Sequence, residues 1–308
     1  MDLTSLVLLA VFGLQFAVPI GVGAQGELLT EKSGILNIGL YAAMAIPAFV
    51  AAATNIELAG ALGRDSAYAG LLAAMVTGAG LNFLFAYLST KIHIDQVIAG
   101  IGLNIFAVGI TAVFLERFYA LDGTPNGHQV APLVSIAGLA QGVRLSVSPL
   151  MALMFVAPVL VYLLLSRSKL GLHIRAVGEN PKAAEAAGID VAWTRITATT
   201  IGGVFLGLAG AYLTVDFNPN FVPDYSQAIF PAFIALAAVI AGGWKPGYVL
   251  GVSILFGVSE ALRPVFAVSS VQGYLLSTMP YIVTVVVLAI ASKRLRPPAA
   301  LALPYKKE

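Results

Sequence analysis

The sequence contains no cysteine and only three histidines among its 308 residues. Without cysteine, neither a disulfide nor a thiolate metal site can form. The histidines, His93, His128 and His173, are too far apart to match the spacing of paired metal ligands. The sequence also has no Gly-x-x-x-x-Gly-Lys-Ser/Thr phosphate loop and no Gly-x-Ser-x-Gly elbow. We therefore expect no catalytic residue, no metal site and no ATP hydrolysis in this chain, which argues against an enzyme.

Charged residues are equally scarce. Only 10% of the chain is Asp, Glu, Lys or Arg, whereas 59% is hydrophobic and the mean hydropathy is +0.90. Soluble domains carry roughly 25% charged residues, so this composition excludes a soluble protein and predicts one that lies in lipid. Residues 1–6 include an acid and no base. They lack the basic start of a cleaved signal peptide, and we expect the first apolar run to be retained.

Long apolar runs dominate the rest of the chain. A helix that crosses a membrane needs about 20 mostly apolar residues, and uncharged or nearly uncharged runs of about that length recur throughout the sequence. We predict an all-α, polytopic transmembrane bundle of about nine spans, within a range of about eight to ten. It would form one domain over residues 1–308, in the cell membrane. The eighth run is the shortest, and an eight-span bundle with one re-entrant segment is the alternative. The predicted spans are 3–26, 33–56, 66–90, 96–115, 145–166, 196–215, 225–244, 247–261 and 272–291.

Many of the 31 glycines lie inside these predicted spans. Gly203 and Gly207 have the G-x-x-x-G spacing, and so do Gly247 and Gly251. This spacing lets the backbones of two membrane helices approach closely. We predict that both pairs serve helix packing.

The distribution of basic residues predicts how the chain is oriented. Nine spans place the two ends on opposite sides of the membrane, and cytoplasmic loops carry an excess of Lys and Arg. If the C-terminal tail, residues 292–308, is inside, the inner segments hold 13 of the 17 Lys and Arg residues. We therefore predict the N-terminus outside and the C-terminus inside. The long loop 167–195 then lies in the cytoplasm.

A short helix is predicted within that loop. Asn180 can cap it by accepting a hydrogen bond from a free N–H group of the first turn, and Pro181 suits the first helical position. Gly188 is a natural stop, because a left-handed backbone costs glycine little. The helix surface is small, alanine-rich and surrounded by charges, which suits docking into a groove of another protein. The alternative is a solvated loop helix without a partner.

Polar residues within the predicted spans are the candidates for lining a solute pathway. Glu260 is the strongest, because an ionisable group in lipid is costly and is a functional candidate by default. The alternative is an ion pair with Arg263, three residues further on the same helical face. Asn37 either lines the inner mouth of the pathway or caps a helix. Asn104 either contacts a solute or forms hydrogen bonds between helices.

Two strings of residues carry a family resemblance. The first is T-E-K-S-G-I-L-N-I-G, starting at Thr30, and the second is G-E-N-P-K-A-A-E-A-A-G-I, residues 178–189. With these strings the chain resembles the permease subunits of ABC importers for branched-chain amino acids, simple sugars and nucleosides, most closely the nucleoside and simple-sugar branch. The resemblance covers nearly the whole chain.

In that family a cytoplasmic loop helix docks on a separate ATPase. The resemblance implies an ATPase contact in the 167–195 loop. The residues at the matching positions are Gly178, Glu179, Asn180, Ala183, Ala184, Ala187 and Gly188.

The resemblance also implies a transport function and a set of partners. The chain would form half of a pathway for nucleosides or simple sugars, beside a second, sister permease. It would work with an ABC ATPase, which binds ATP and Mg²⁺, and with an extracellular solute-binding protein. Besides membrane lipid no other partner, and no nucleic acid, is expected. The alternatives are a branched-chain amino acid permease of the same family and a stand-alone secondary transporter.

The outer loops are predicted to receive the solute-binding protein. Their acids Asp122, Asp216 and Asp224 are candidates for pairing with its basic residues, and solvated loop acids without a partner are the alternative.

Overall fold

The structure is a computed structural model that describes residues 3–119, 123–140, 143–222, 226–266, 269–291 and 296–305. These residues form a helical bundle with one β-hairpin. Two of the helices end in a tighter or a wider turn, a 3₁₀ turn at Gly63–Asp65 and a π turn at Leu213–Phe217. The helices are α1 Leu3–Lys32, α2 Leu40–Glu57, α3 Ala59–Leu62, α4 Ser66–Thr90, α5 Gln96–Tyr119, α6 Pro149–Arg167, α7 Lys169–Glu179, α8 Pro181–Ala186, α9 Val191–Tyr212, α10 Ser226–Ala241, α11 Pro246–Phe266, α12 Ser270–Ser277 and α13 Met279–Ala291, and the strands are β1 Val134–Ala140 and β2 Val143–Val147.

The polytopic all-α prediction is confirmed. Over the described ranges, eight helical segments are long and apolar enough to cross a membrane, and Pro231–Ala241 within α10 is a shorter apolar helix. This shorter helix corresponds to the predicted seventh span, whose expected start at Tyr225 lies outside the described residues. It ends early because Gly243 and Trp244 have positive φ angles, 61° and 55°, which a helix cannot continue through.

The first predicted boundary between spans was wrong. Residues 27–32, expected to be a polar link, continue α1, and the link to the next helix instead runs from Ser33 to Gly39. Residues 27–32 are good helix formers apart from Thr30, with neither proline nor glycine among them. The charged residues of this segment had suggested a loop, but two of them, Glu27 and Glu31, are buried inside the protein.

The hairpin formed by β1 and β2 was not predicted. The strands pair antiparallel, with Val134 opposite Val147. The fifth span therefore begins at Pro149 and not at residue 145. Ser148 caps it, accepting a hydrogen bond from the Met151 N–H at 3.1 Å, while Pro149 takes the first helical position.

Helix α9 lies at the centre of the bundle and meets α4 through glycine. A side chain at Gly203 would collide with the carbonyl oxygen of Gly78, and one at Gly207 with that of Ala74. The predicted close approach at this G-x-x-x-G pair is therefore confirmed.

Glycines on the other faces of α9 also allow close packing of neighbouring helices. Gly202 leaves no room for a side chain against the Gly26 carbonyl of α1, and Gly210 leaves none against the Met44 carbonyl of α2. Because each contact brings backbone against backbone, α1, α2 and α4 all pack closely around α9.

The second predicted glycine pair does not pack in this way. The Cβ positions of Gly247 and Gly251 meet no atom of the described residues within 4 Å. Helix α11 instead approaches α1 one turn or more later, where a side chain at Gly257 would collide with the Gly13 carbonyl and one at Gly13 with Val258.

The predicted inner segments gather at one end of the bundle. Ala300 in the tail donates to the carbonyl oxygen of Gly178 at 2.8 Å, and Ala302 to that of Gly34 at 3.1 Å. The Lys91 ammonium lies over the ring of Trp193, 5.5 Å from its centroid. The tail, the 167–195 loop and the α1–α2 link thus share one end, while the side of the membrane that this end faces stays a prediction.

The segments predicted to be outer lie together at the opposite end. The Val130 N–H donates to the Val215 carbonyl at 2.9 Å, and the Thr124 N–H to that of Phe221, also at 2.9 Å. Asp216 lies in the π turn and not in an exposed loop, while Asp122 and Asp224 lie outside the described residues.

Candidate functional site

The predicted loop helix is present as α8. The Asn180 side chain accepts a hydrogen bond from the Ala183 N–H at 3.0 Å, and Pro181 follows at the first helical position. Past the end of the helix, Gly188 has a φ of +83°. This left-handed backbone favours glycine and turns the chain away.

A second loop helix, α7, precedes α8 and was missed. Ser168 caps it, accepting from the Gly171 N–H at 2.9 Å. Its buried side chains include Ile174 and Val177, while Leu172 is exposed. The three- to four-residue spacing of Leu170, Ile174 and Val177 after a serine is a signal that sequence analysis could have used.

Burial corrects two of the predicted ATPase-contact positions. Gly178 and Ala184 are buried, so neither can face a partner. A side chain at Gly178 would collide with the carbonyl oxygen of Lys32, and Ala184 packs in a small cluster with Val177 and Val191. Both residues hold the loop helices against the bundle. The exposed predicted positions are Glu179, Asn180, Ala183, Ala187 and Gly188.

The base of this surface rests on the α1–α2 link and the tail. Arg195, at the start of α9, donates to the Ser33 carbonyl and to the Leu303 carbonyl. Gly34 has a φ of +91°, and a side chain there would press on the Arg195 guanidinium. The Tyr305 hydroxyl bonds the Glu185 carboxylate of α8. One buried arginine therefore joins three segments beneath the loop helices.

Two carboxylates that the sequence analysis placed in a loop lie one turn apart inside the protein. Glu27 accepts a hydrogen bond from the Asn37 N–H at 3.3 Å, and Glu31 accepts one from the indole nitrogen of Trp244. Both side chains are fully buried, and each has one oxygen without a hydrogen-bond partner among the described residues. They link the end of α1 to the α1–α2 link and to the α10–α11 turn.

Asn37 is part of the same interior and does not line an open mouth. Its amide nitrogen donates to Asn82 Oδ1 of α4 at 2.9 Å, and its own oxygen accepts from the Gly39 N–H at 2.9 Å. Its side chain is fully buried. Asn37 thus shapes the approach to α2 and joins it to α4.

Asn104 and Glu260 have separate positions. Asn104 accepts from the Ala42 N–H at 3.0 Å and donates to the Ile38 carbonyl at 2.9 Å. Both groups of its amide are therefore used, one toward α2 and one toward the α1–α2 link, which favours the packing alternative. Glu260 is half-buried on α11, far along the chain from the other two, and its charge interacts with that of Arg263. The structure does not bring the three candidates together into one site.

Comparison with known families decides what kind of protein this is. Residues 9–291 match the family described as branched-chain amino acid transport system / permease component. The chain belongs to this family. It is a permease subunit of an ATP-binding cassette importer and a multi-pass protein of the cell membrane. The loop helix on a bundle without a phosphate loop fits that assignment.

Three relatives cover nearly the whole chain. The guanosine ABC transporter permease protein NupQ of Bacillus subtilis is 29% identical over 96% of this chain and 95% of its own length. The nucleoside ABC transporter permease protein NupC of Lactococcus lactis is 30% identical over 90% of both chains. The putative glucose ABC transporter permease protein TsgC13 of Haloferax volcanii is 30% identical over 96% of both. All three are named as permeases, which are transport components, and this favours the permease over a stand-alone secondary transporter.

Proposed function

We propose that this permease carries nucleosides. The observation that carries the proposal is the similarity, over nine-tenths or more of the chain, to permeases named for guanosine and for nucleosides. A simple sugar is the second candidate, favoured by the relative named for glucose. A branched-chain amino acid, which the family description names, is the third.

We further propose that α8 couples this subunit to a separate ATPase that binds ATP and Mg²⁺. The five exposed positions would contact a groove of that partner, while Gly178 and Ala184 fix the helix to the bundle. Closure of the ATPase would push on α8, and Arg195 would transmit that movement to the α1–α2 link. Coupling of this kind requires that the contacts differ between two states of the ATPase.

Two further partners complete the proposed importer. A second, sister permease would form the other half of the pathway. A solute-binding protein would deliver cargo at the end that carries the β1–β2 hairpin, opposite α8. Exposed apolar side chains, among them Ile98, Ile105 and Val285, would face lipid or the second permease.

Uptake into vesicles that hold the complete importer tests both the class of transport and its cargo. We expect ATP inside the vesicles to drive uptake of radiolabelled guanosine, with the binding protein supplied outside. An imposed proton or sodium gradient without ATP should drive none. Ribose and leucine are the competing cargoes. Gradient-driven uptake by this chain alone would reject the ABC mechanism, and ATP-driven uptake of leucine but not guanosine would reject the proposed cargo.

A further inference from the structure

A cavity of about 770 Å³ lies at the end of the bundle opposite α8. Its lining includes residues of the first half of α1, of the start of α6, of the π turn Leu213–Phe217 and of the segment 127–132. Among the residues that line the cavity are Gln15, Arg64, Gln129, Tyr212, Asp216 and Phe217.

An aromatic surface forms part of the cavity wall. Phe217 is 40% exposed. The rings of Phe16 and Tyr212 lie next to it, with their centroids 5.4 Å and 6.1 Å from that of Phe217. Two rings therefore hold Phe217 in place while part of it stays open to the cavity. A ring fixed in this way offers a flat ligand a stacking surface at little cost in side-chain freedom.

A carboxylate oxygen with no partner lies beside that ring. Asp216 interacts with the Ser148 hydroxyl, yet its Oδ2 atom is buried and has no hydrogen-bond partner among the described residues. Burial of an acceptor without a partner is costly. A small rotation of the side chain that turns Oδ2 toward the cavity would let a ligand with N–H or O–H donors remove this cost.

The backbone fixes both residues in the wall. They belong to a π turn, a wider turn that is rare in proteins and frequent at functional sites. The Gln129 side chain donates to the carbonyl oxygen of Asp216 at 3.2 Å, and the Val130 N–H donates to that of Val215 at 2.9 Å. The segment 127–132 thus holds the π turn in register and places an amide group in the same cavity.

The aromatic ring of Phe217 and the carboxylate of Asp216 together favour one of the three candidate cargoes. The base of a nucleoside has a flat aromatic face for Phe217, and base stacking on such rings is strong for every base. Its ring N–H groups and ribose hydroxyls are donors for Asp216 Oδ2. A branched aliphatic amino acid has no such face. Arg64 and Asp216 also balance in charge, which suits a neutral ligand.

We propose that this cavity is a nucleoside-binding site on the outer side of the permease, in which Phe217 stacks on the base and Asp216 accepts hydrogen bonds from the nucleoside. The inference rests on the proposed nucleoside cargo and adds to it the residues that recognise that cargo. It places recognition in the permease itself, in addition to the solute-binding protein.

Transport kinetics test the site in the complete importer. We expect Phe217→Ala to raise the KM for guanosine uptake about tenfold or more, since it removes the stacking surface. Phe217→Tyr should keep the KM within about twofold because the ring remains. Asp216→Asn should also raise the KM, since half of its acceptor capacity is replaced by a donor. The matched control is Phe118→Ala on α5, where a ring that is 66% exposed is removed outside the cavity. Its KM should not change.

Direct binding provides a readout that does not depend on transport. Phe217→Trp puts a fluorophore into the cavity wall, and guanosine added to the purified permease in lipid nanodiscs should quench it. The wild-type protein, whose tryptophans Trp193 and Trp244 lie at the other end, gives the background. Ribose and leucine should not quench. The Phe217→Trp variant tests guanosine binding in the cavity even if Phe217→Ala prevents assembly of the importer.

The possible outcomes separate the two proposals. Guanosine uptake by the wild-type importer, with an unchanged KM in Phe217→Ala and Asp216→Asn, would reject the site and leave the cargo standing. An importer that takes up ribose or leucine but no nucleoside would reject the cargo, and the site would fall with it. Equal quenching by guanosine, ribose and leucine would also reject stacking as the basis of recognition.

Discussion

Arg195 donates from its Nε to the carbonyl oxygen of Ser33 at 3.1 Å, across 162 residues of sequence. The guanidinium is almost completely buried, and a second nitrogen reaches the Leu303 carbonyl at 3.2 Å. Among the described residues no ion pair with Arg195 is found, and the charged group is held by backbone carbonyls of the α1–α2 link and of the tail. Hydrogen bonds from a charged donor are stronger than those between neutral groups. The bond to Leu303 therefore adds to the backbone bonds by which Ala300 and Ala302 hold the tail.

The first prediction concerns this arginine. Arg195→Met keeps most of the side-chain volume but leaves the Ser33 and Leu303 carbonyls without their donor. We expect the protein to lose about 1–3 kcal/mol of stability for unpaired buried groups and the tail to become more accessible to a protease. Thermal unfolding and limited proteolysis of the tail in detergent measure the two effects. Arg167→Met, at an exposed position, is the control and should change neither. A tail that stays protected in Arg195→Met would contradict this account.

The second prediction concerns the indole that bonds Glu31. Trp244→Phe leaves a buried carboxylate without its donor. We expect a stability loss of about 1–3 kcal/mol or more, read as a lower midpoint of thermal unfolding. Trp193→Phe is the matched change at a ring that is 49% exposed and lies under Lys91. Its midpoint should stay close to that of the wild type. Equal midpoints for the two variants would show that the Glu31 contact contributes nothing to stability.

The third prediction compares two glycines, Gly203 and Gly251, each of which belongs to a G-x-x-x-G pair. Gly203→Ala places a methyl group against the Gly78 carbonyl, so we expect α4 and α9 to separate at a cost of about 1–3 kcal/mol. Gly251→Ala meets no atom of the described residues within 4 Å. It should be neutral or slightly stabilising, since alanine favours a helix more than glycine does. The midpoints of thermal unfolding of the two variants test this difference. Equal losses of stability would contradict it and would mean that Gly251 also packs closely against another part of the protein.

Much of the bundle could be predicted because lipid imposes a simple rule. Apolar runs of spanning length identified the long helices, and α4 begins and ends where expected, at Ser66 and Thr90. The cap at Asn180 and the stop at Gly188 were also correct, since both signals are local. Features that depend on tertiary contacts could not be predicted from the sequence. Charge at Glu27 suggested a loop, and only tertiary contacts show that it is buried within a helix.

The candidate sites show the same limit. Asn37 and Asn104 were recognised as polar residues within apolar surroundings, but their partners, Asn82 and the backbone of α2, come from distant parts of the chain. The family strings identified the loop helix but not which of its faces is free. The spacing of Gly178 and Ala184 within a short polar stretch gave no sign that the α1–α2 link and α9 cover them.

The fourth prediction tests the exposed face of α8, and it rests on the proposed ATPase contact. Ala187 is exposed at the end of α8, next to Gly188. Ala187→Arg should reduce recovery of the ATPase in a pull-down from membranes about tenfold or more, because a long charged side chain would enter a groove that fits alanine. Since Ala187 is exposed in the part of the subunit that the structure describes, the midpoint of thermal unfolding of Ala187→Arg should be unchanged.

Two further variants serve as controls for this test. Ala61→Arg makes the same change at an exposed alanine of α3, at the opposite end of the bundle, and should leave ATPase recovery intact. Gly178→Ala alters a buried position and should lower the midpoint of thermal unfolding, with loss of the ATPase following from a displaced helix. If Ala187→Arg retained the ATPase as well as Ala61→Arg does, α8 would be a solvated loop helix and the contact would lie elsewhere on the subunit.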